Sequence, residues 1–223
     1  MNVVAINGSP HGMKGTTGLL LSAVIKSARA AGATVTTLLL ADYNVGPCRA
    51  CDACHKAGAC PIKDDFARFR APMVAADGVI LASPNYISSV SAQMKALMDR
   101  CCGLLHCQAF KGKYSAAVVT SGGSESKEVE DYILGFLRAM GSWTVGGVGA
   151  SAAALLNPAA RPKALEAAAE LGSGLTQAIA SRKTYAEQVP EQSAFAERMK
   201  QLVRSRKDQW VYEYEYWNSR GWT

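Results

Sequence analysis

Four cysteines fall within thirteen residues, at Cys48, Cys51, Cys54 and Cys60, in the pattern Cys-x2-Cys-x2-Cys-x5-Cys. Thiolates at intervals of three can fold around a cube of iron and sulfide, and four are the usual complement of a 4Fe-4S centre. Pro61, directly after the last cysteine, also matches bacterial cluster runs. The same residues admit other chemistry. Zinc takes four thiolates too, although its structural sites generally use two knuckles separated by a longer stretch. Cys51-Asp-Ala-Cys54-His55 fits the c-type haem attachment pattern, and free thiols or a reversible disulfide complete the alternatives. Cys101, Cys102 and Cys107 read either as buried small apolar side chains or as a redox thiol near a cofactor.

A second chemical element is Asn7-Gly-Ser-Pro-His-Gly-Met-Lys-Gly-Thr-Thr17, which follows an apolar run and opens a helical pattern. Backbone N–H groups and hydroxyls that converge on a helix N-terminus bind phosphate. The stretch lacks the Gly-Lys-Ser/Thr ending of nucleoside-triphosphate loops and the Gly-x-Gly-x-x-Gly of dinucleotide sites. Ser9, Thr16 and Thr17 instead offer hydroxyls, a neutral cage suited to a permanently held monophosphate; the plain alternative is a Gly-rich turn that binds nothing. Two further polar stretches, Ser83-Pro-Asn-Tyr-Ile-Ser-Ser89 and Thr120-Ser-Gly-Gly-Ser124, each follow an apolar run. Pro84, Asn85 and Tyr86 could lie along a flat ring, and Gly122 and Gly123 would let backbone approach closely.

The elements that must position these loops read as strands at 2–6, 35–40, 78–83, 115–120 and 144–150. Helical patterns cover 16–31, 90–102 and 158–182, and Val129, Ile133, Phe136, Leu137 and Met140 share one face of another, with Glu125 and Glu128 near its positive end. Gly172 and Gly174 interrupt the pattern at 158–182. Strands alternating with helices of this length predict an α/β fold with a doubly wound parallel sheet covered on both faces, and ligands then bind at the carboxyl ends of its strands. Residues 41–64 have no clear period, and a loop of that length in a compact domain is usually functional. It carries the four cysteines. In the tail, Tyr212, Tyr214 and Tyr216 alternate with Glu213 and Glu215 before Trp217, which predicts an extended segment with one sticky aromatic face.

The 223 residues are 49% hydrophobic, with no apolar run long enough for a membrane-spanning helix. The N-terminus lacks the basic patch and long apolar core of a secretory signal, so a cytoplasmic location is expected and a structural disulfide framework is not. The net charge of +6 suggests nucleic acid, but half of the excess lies in 181–210, where seven basic residues face four acidic ones. A solvated helix face accounts for that run. No nucleic-acid or membrane partner is expected.

The sequence resembles the flavodoxin-like NAD(P)H-dependent FMN reductase superfamily and, within it, the iron-sulfur flavoproteins. The matching residues are the N-G-S-P-H-x-x-x-G-T-T loop, C-R-A-C-D-A-C-x5-C-P-I-K-D-D from Cys48 to Asp65, S-P-N-Y-I-S-S-V-S-A-Q-M-K from Ser83 to Lys95 with its continuation to Asp99-Arg100, and T-S-G-G at Thr120. Coverage runs from residue 1 to about residue 150. The resemblance implies a five-stranded sheet of order 2-1-3-4-5 that binds FMN, with the cysteine-rich loop after strand 2 and a C-terminal extension. Ser9, His11, Thr16 and Thr17 would hold the phosphate, with Pro84, Asn85, Tyr86, Ile87, Ser88 and Ser89 along the ring and its edge. Thr120, Ser121, Gly122 and Gly123 would lie on the other side. His11 stands where the pattern carries arginine, which makes that contact weaker or dependent on pH.

Together these readings give an FMN-binding oxidoreductase with one 4Fe-4S cluster. Electrons would pass from a donor such as ferredoxin, or from NAD(P)H, to a small acceptor such as a quinone, dioxygen, a peroxide or a nitro or azo compound. Two other functions fit: a cluster-free NAD(P)H-dependent FMN or quinone reductase, and a non-enzymatic electron carrier. Residues 1–182 are expected to form the flavodoxin-like unit. Residues 183–223 would be a helix and aromatic tail that help build a homodimer or homotetramer.

Overall fold

The computed structural model describes residues 1–123 and 127–222. Ser124, expected to end the third polar loop, and Glu125, expected to begin the following helix, lie outside the described residues.

Five strands, β1 (Asn2–Asn7), β2 (Thr34–Leu39), β3 (Gly78–Pro84), β4 (Tyr114–Ser121) and β5 (Trp143–Ser151), form one sheet in the order β2-β1-β3-β4-β5. Every pairing is parallel. The expected architecture and order are therefore found. Every residue of β3 and β4 is buried, as a parallel sheet covered on both faces requires.

The period of two sorts the strand residues between two cores. Val3, Ala5, Ile80, Ala82, Ala116 and Val118 face α1 (Thr16–Ala30) and the later α8 (Arg161–Ser181). Val4, Ile6, Val79, Leu81, Ala117 and Val119 face the opposite layer. That layer holds α3 (Phe66–Ala75), α4 (Ala92–Arg100) and α6 (Lys127–Ala139), which contribute Phe69, Met73, Met94, Leu97, Ile133 and Leu137. Gly172 does not break α8. A Cβ there would stand 2.2 Å from the carbonyl oxygen of Val24, so the glycine lets α8 lie directly against α1.

The cysteine loop carries one short helix, α2 (Ala53–Ala57), and α4 is followed at once by α5 (Cys102–His106). After β5 come α7 (Ala152–Leu156), α8, α9 (Val189–Ser205) and α10 (Val211–Ser219). Helix α9 is tied to the body through Arg138 to Glu191 at 2.9 Å and Gln192 to the Ser142 carbonyl at 2.8 Å. Arg182, Lys183, Arg198, Arg204, Arg206 and Lys207 of the basic run are exposed, as a solvated surface requires.

The tail departs from expectation. Residues 211–219 form a helix, not an extended segment. Alternation of aromatic and acidic residues suggests a strand, yet Glu213 and Trp217 stand four apart, and both are buried on one helical face. Tyr212 and Tyr216, also four apart, lie side by side at 6.3 Å. All three tyrosines are half-buried against their own chain, so no exposed aromatic stripe is left.

Candidate functional site

Three polar loops meet at the carboxyl edge of the sheet, and hydrogen bonds fasten each to the others. Thr17 Oγ1, in the first turn of α1, lies 2.6 Å from Thr120 Oγ1 at the end of β4. The Asn85 N–H donates to the Thr120 carbonyl at 2.6 Å. Ser91 caps α4 by accepting from the Met94 N–H, and its hydroxyl donates to the Gly8 carbonyl at 2.7 Å. The loops after β1, β3 and β4 therefore form one connected rim at the crevice expected of a doubly wound sheet.

Within the first loop Ser9 and Thr17 are buried, Thr16 is half-buried and His11 is exposed. Ser9 Oγ accepts from the His11 N–H at 3.3 Å, and Asn7 Oδ1 from the Ser9 N–H at 2.9 Å. A Cβ on Gly18 would meet the Met13 backbone at 2.4 Å, so that glycine allows the loop to fold down on α1. No side chain caps the start of α1, which leaves that end to an outside acceptor.

Pro84 is buried at the end of β3, while Tyr86, Ile87, Ser88 and Ser89 project beyond it. Tyr86 and Ser89 exchange backbone hydrogen bonds at 2.8 and 3.2 Å around a two-residue turn. Ile87 and Ser88 take φ of 52° and 58°. A β-branched residue in the left-handed region is strained, and Ile87 is 100% exposed. Across the rim, Ser121 donates to the Gly123 carbonyl at 2.7 Å, and among the described residues nothing lies within 4 Å of a Cβ on Gly122 or Gly123.

The cysteine loop is closed by a clasp. Asp64 accepts from the Gly46 N–H at 3.0 Å, Asp65 from the Asn44 N–H at 3.0 Å, and Arg100 reaches from the end of α4 to Asp64 and to the Gly46 carbonyl. Between the clasped ends, Ala50 and Asp52 take positive φ, which turns the chain sharply between successive cysteines. Cys48, Cys51, Cys54 and Cys60 all line one cavity of about 280 Å³, together with Arg100, His55 and Cys102. The buried Arg100 Nε has no hydrogen-bond partner among the described residues. Burial opposes the charge on Arg100, but the Asp64 hydrogen bond, helped by the nearby Cys60, raises its pKa. A cavity with four thiols and the free Nε–H of a buried guanidinium, whose other nitrogens are held by Asp64, suits an anionic inorganic group larger than a single ion.

Beside this cavity is a group that sequence reading did not find. Glu213, 0% exposed, accepts from His55 Nδ1 at 2.5 Å and from His106 Nδ1 at 3.1 Å. An ionised carboxylate only accepts, so both Nδ1 atoms carry hydrogen. The two Nε2 atoms point at Cys102 Sγ, at 4.0 and 3.7 Å. Trp210 lies over both imidazoles, with ring centroids 4.5 and 5.2 Å away, and Trp217 donates to the His106 carbonyl at 2.9 Å. Hydrogen bonds from His106 and His55 lower the Cys102 pKa to about 6 despite partial burial. Burial opposes ionisation of Glu213, but the two imidazoles outweigh it and hold its pKa below the ordinary value.

The three later cysteines thus separate. Burial pushes Cys101 and Cys107 up to about 12, the behaviour of inert apolar thiols, whereas Cys102 is polarised. Only the spacing of Cys102 and His106, four apart on one helix face, hinted at this in the sequence.

The family model "NADPH-dependent FMN reductase" matches residues 1–154. An "iron-sulfur flavoprotein" from Archaeoglobus fulgidus is 30% identical over 223 residues, covering 99% of this chain and 99% of its own length. Among solved structures, a flavone reductase superposes with a TM-score of 0.64 at 15% identity, covering 81% of this chain and 63% of its own. An archaeal flavodoxin gives 0.54 at 16% identity, covering 81% of this chain and 99% of its own. These two structural likenesses speak to the fold.

Proposed function

Because the chain belongs to the iron-sulfur flavoproteins of the NADPH-dependent FMN reductase family and is a flavin-dependent oxidoreductase, we propose that it passes electrons from a one-electron donor, through a cysteine-bound 4Fe-4S cluster, to FMN and a small acceptor. The observation that carries this reading is the single cavity lined by all four motif cysteines. The expected cofactors, FMN and an iron–sulfur cluster, agree with the family. When bound, the four-thiolate centre supplies single-electron exchange, and the flavin supplies one- or two-electron reduction of an acceptor.

The residues present fit both groups. The uncapped start of α1, with Ser9, Thr16 and Thr17 around it, would bind the phosphate, and His11 at the loop's exposed corner would add a polar contact. Pro84, Asn85, Tyr86, Ile87, Ser88 and Ser89 would orient the ring along one side. Thr120, Ser121, Gly122 and Gly123 would bring backbone close on the other, where the two glycines carry no side chain. Cys48, Cys51, Cys54 and Cys60 would hold the cluster, and Arg100 would offset its negative charge from the unpartnered Nε.

A ferredoxin-like protein is the donor we favour, with NAD(P)H as the rival, and the acceptor is a quinone, dioxygen, a peroxide or a nitro or azo compound. Among the described residues no helix is long and apolar enough to cross a membrane, and we place the protein in the cytoplasm. We also propose a homodimer or homotetramer that covers the exposed Tyr86–Ile87 turn, to be tested by light scattering.

Anaerobic purification followed by flavin, iron and sulfide analysis tests the assignment. About one FMN per chain is expected, reducible by a one-electron donor. Recovery of FAD, or reduction by nicotinamide alone with no iron present, would overturn it in favour of a cluster-free reductase.

A further inference from the structure

We propose that Cys102, His55 and His106 form a second, mononuclear site for a divalent cation of the zinc class, with Glu213 as the carboxylate that orients both imidazoles. Cys102 Sγ and the ligand nitrogens of the two histidines all lie within 4.8 Å of one another. Among the described residues no other group of three or more His, Cys, Asp or Glu converges this closely.

The sulfur–nitrogen spacing, which here carries two long hydrogen bonds, also suits a metal. Zinc bonds of about 2.3 Å to sulfur and about 2.05 Å to nitrogen, at a tetrahedral angle, place sulfur and nitrogen about 3.6 Å apart. The observed separations are 3.7 Å for His106 and 4.0 Å for His55. The two imidazoles stack, with centroids 4.7 Å apart and planes 17° from parallel, so metal entry must also turn the rings until both Nε2 lone pairs converge on one ion.

The outer partners are those such a site needs. A ligating imidazole usually donates its other N–H to a carboxylate, which fixes the tautomer and aims the remaining lone pair. Here one buried carboxylate does this for both rings, through its two separate oxygens. Metal entry displaces the Nε2 protons that the two imidazoles share with Cys102, and the Glu213 carboxylate and Cys102 thiolate then bring two negative charges that a divalent cation neutralises. One thiolate and two imidazoles form a borderline-soft donor set that favours zinc over calcium or magnesium.

Three separate segments deliver these groups: α2 brings His55, α5 brings Cys102 and His106, and α10 brings Glu213. Close packing holds them together, because a Cβ on Gly103 would stand 3.3 Å from Cys54 Cβ and 3.6 Å from Glu213 Oε1. The site borders the cysteine-lined cavity, which also contains His55 and Cys102. It uses none of the four motif cysteines, so it stands or falls apart from the cluster.

The test is titration of the FMN-loaded, cluster-reconstituted full chain with Zn²⁺, and with Co²⁺ as the optical probe. One equivalent per chain should bind, with a thiolate-to-cobalt charge-transfer band and an X-ray absorption shell of two nitrogens and one sulfur. Cys102→Ser should abolish the band with FMN and iron content unchanged, and Glu213→Gln should weaken uptake about 10- to 100-fold. A chain with Cys48, Cys51 and Cys60 replaced by Ser should keep the N2S signature even without a cluster. Absence of uptake in the wild-type chain, a sulfur-only shell, uptake indifferent to Cys102→Ser, or iron lost together with Cys102 would each overturn the proposal. The absorption measurement on the wild-type chain needs no variant to fold.

Discussion

Arg100 grips Asp64 with both ends of its guanidinium, Nη1 to Oδ2 at 2.7 Å and Nη2 to Oδ1 at 3.0 Å, and the two side chains are only 1% and 4% exposed. Asp64 also accepts from the Gly46 and Phe66 N–H groups, at 3.0 and 3.1 Å. The Arg100 guanidinium lies 4.7 Å from the centre of the Phe66 ring. One ion pair therefore joins the two ends of the cysteine loop to the helix beneath it, and removing either partner would leave a buried charge alone.

This pair sets an acid limit on stability. The hydrogen bond from Arg100, opposed by burial and helped by the backbone donors, lowers the Asp64 pKa from 3.8 to about 2. A carboxylate depressed on folding contributes its full stability above its unfolded value and loses it as pH falls through the folded one. Between 3.8 and about 2 the wild-type chain should lose about 2 kcal/mol that Asp64→Asn, already weaker at neutral pH, does not lose. Urea unfolding of both cluster-free chains across this window checks it. Equal pH dependence in the two would show that Asp64 carries no such linkage.

Thr16 and Thr17 together replaced by Ala should weaken FMN binding at least tenfold, since each hydrogen bond to a charged phosphate contributes roughly 1.5 to 3 kcal/mol. Thr17 also meets Thr120, so thermal unfolding must be followed beside flavin titration. Unchanged affinity would remove the phosphate from this loop.

Gly58 ends α2 at φ +71°, and a Cβ there would fall 2.3 Å from the Tyr212 ring. Gly58→Ala should therefore push α10 away from α2 and cost well over 1 kcal/mol. Gly32→Ala, at φ +96° with nothing within 4 Å, should cost only about 1 kcal/mol for the backbone. Comparison of the two melting temperatures separates the tail contact from glycine conformation, and equal shifts would mean that Tyr212 does not hold the tail there.

Cys101→Ala and Cys107→Ala should leave iron and sulfide content unchanged, because both thiols are buried and neither lines the cavity that the four motif cysteines share. Iron loss on either substitution would move the cluster away from the four motif cysteines.

The sheet is legible because β3 and β4 are centred on the apolar runs 79–82 and 116–119 with polar loops at their carboxyl ends. The loop residues Ser9, Thr17, Asn85 and Thr120 were legible for the same reason, since strand order alone brings them together. The tail misleads because alternating Tyr and Glu imitate a strand, while only the four-residue spacing of Glu213 and Trp217 marks the buried helical face. Glu213 and His55 are 158 positions apart, and no local pattern announces such a contact. His55 stood out only as part of a haem-like string, and Asp64 and Arg100 only as letters in a resemblance, until the clasp gave them a physical role.

The most direct measurement is the iron, acid-labile sulfide and FMN content of the anaerobically reconstituted chain beside its Cys48→Ala, Cys51→Ala, Cys54→Ala and Cys60→Ala variants. About four iron and four sulfide per wild-type chain are expected, with most of both lost in each variant, bound FMN retained, and reduction of the flavin by a one-electron donor stopped. A wild-type chain without labile sulfide or a cluster resonance on reduction, or variants that keep their iron, would contradict the account.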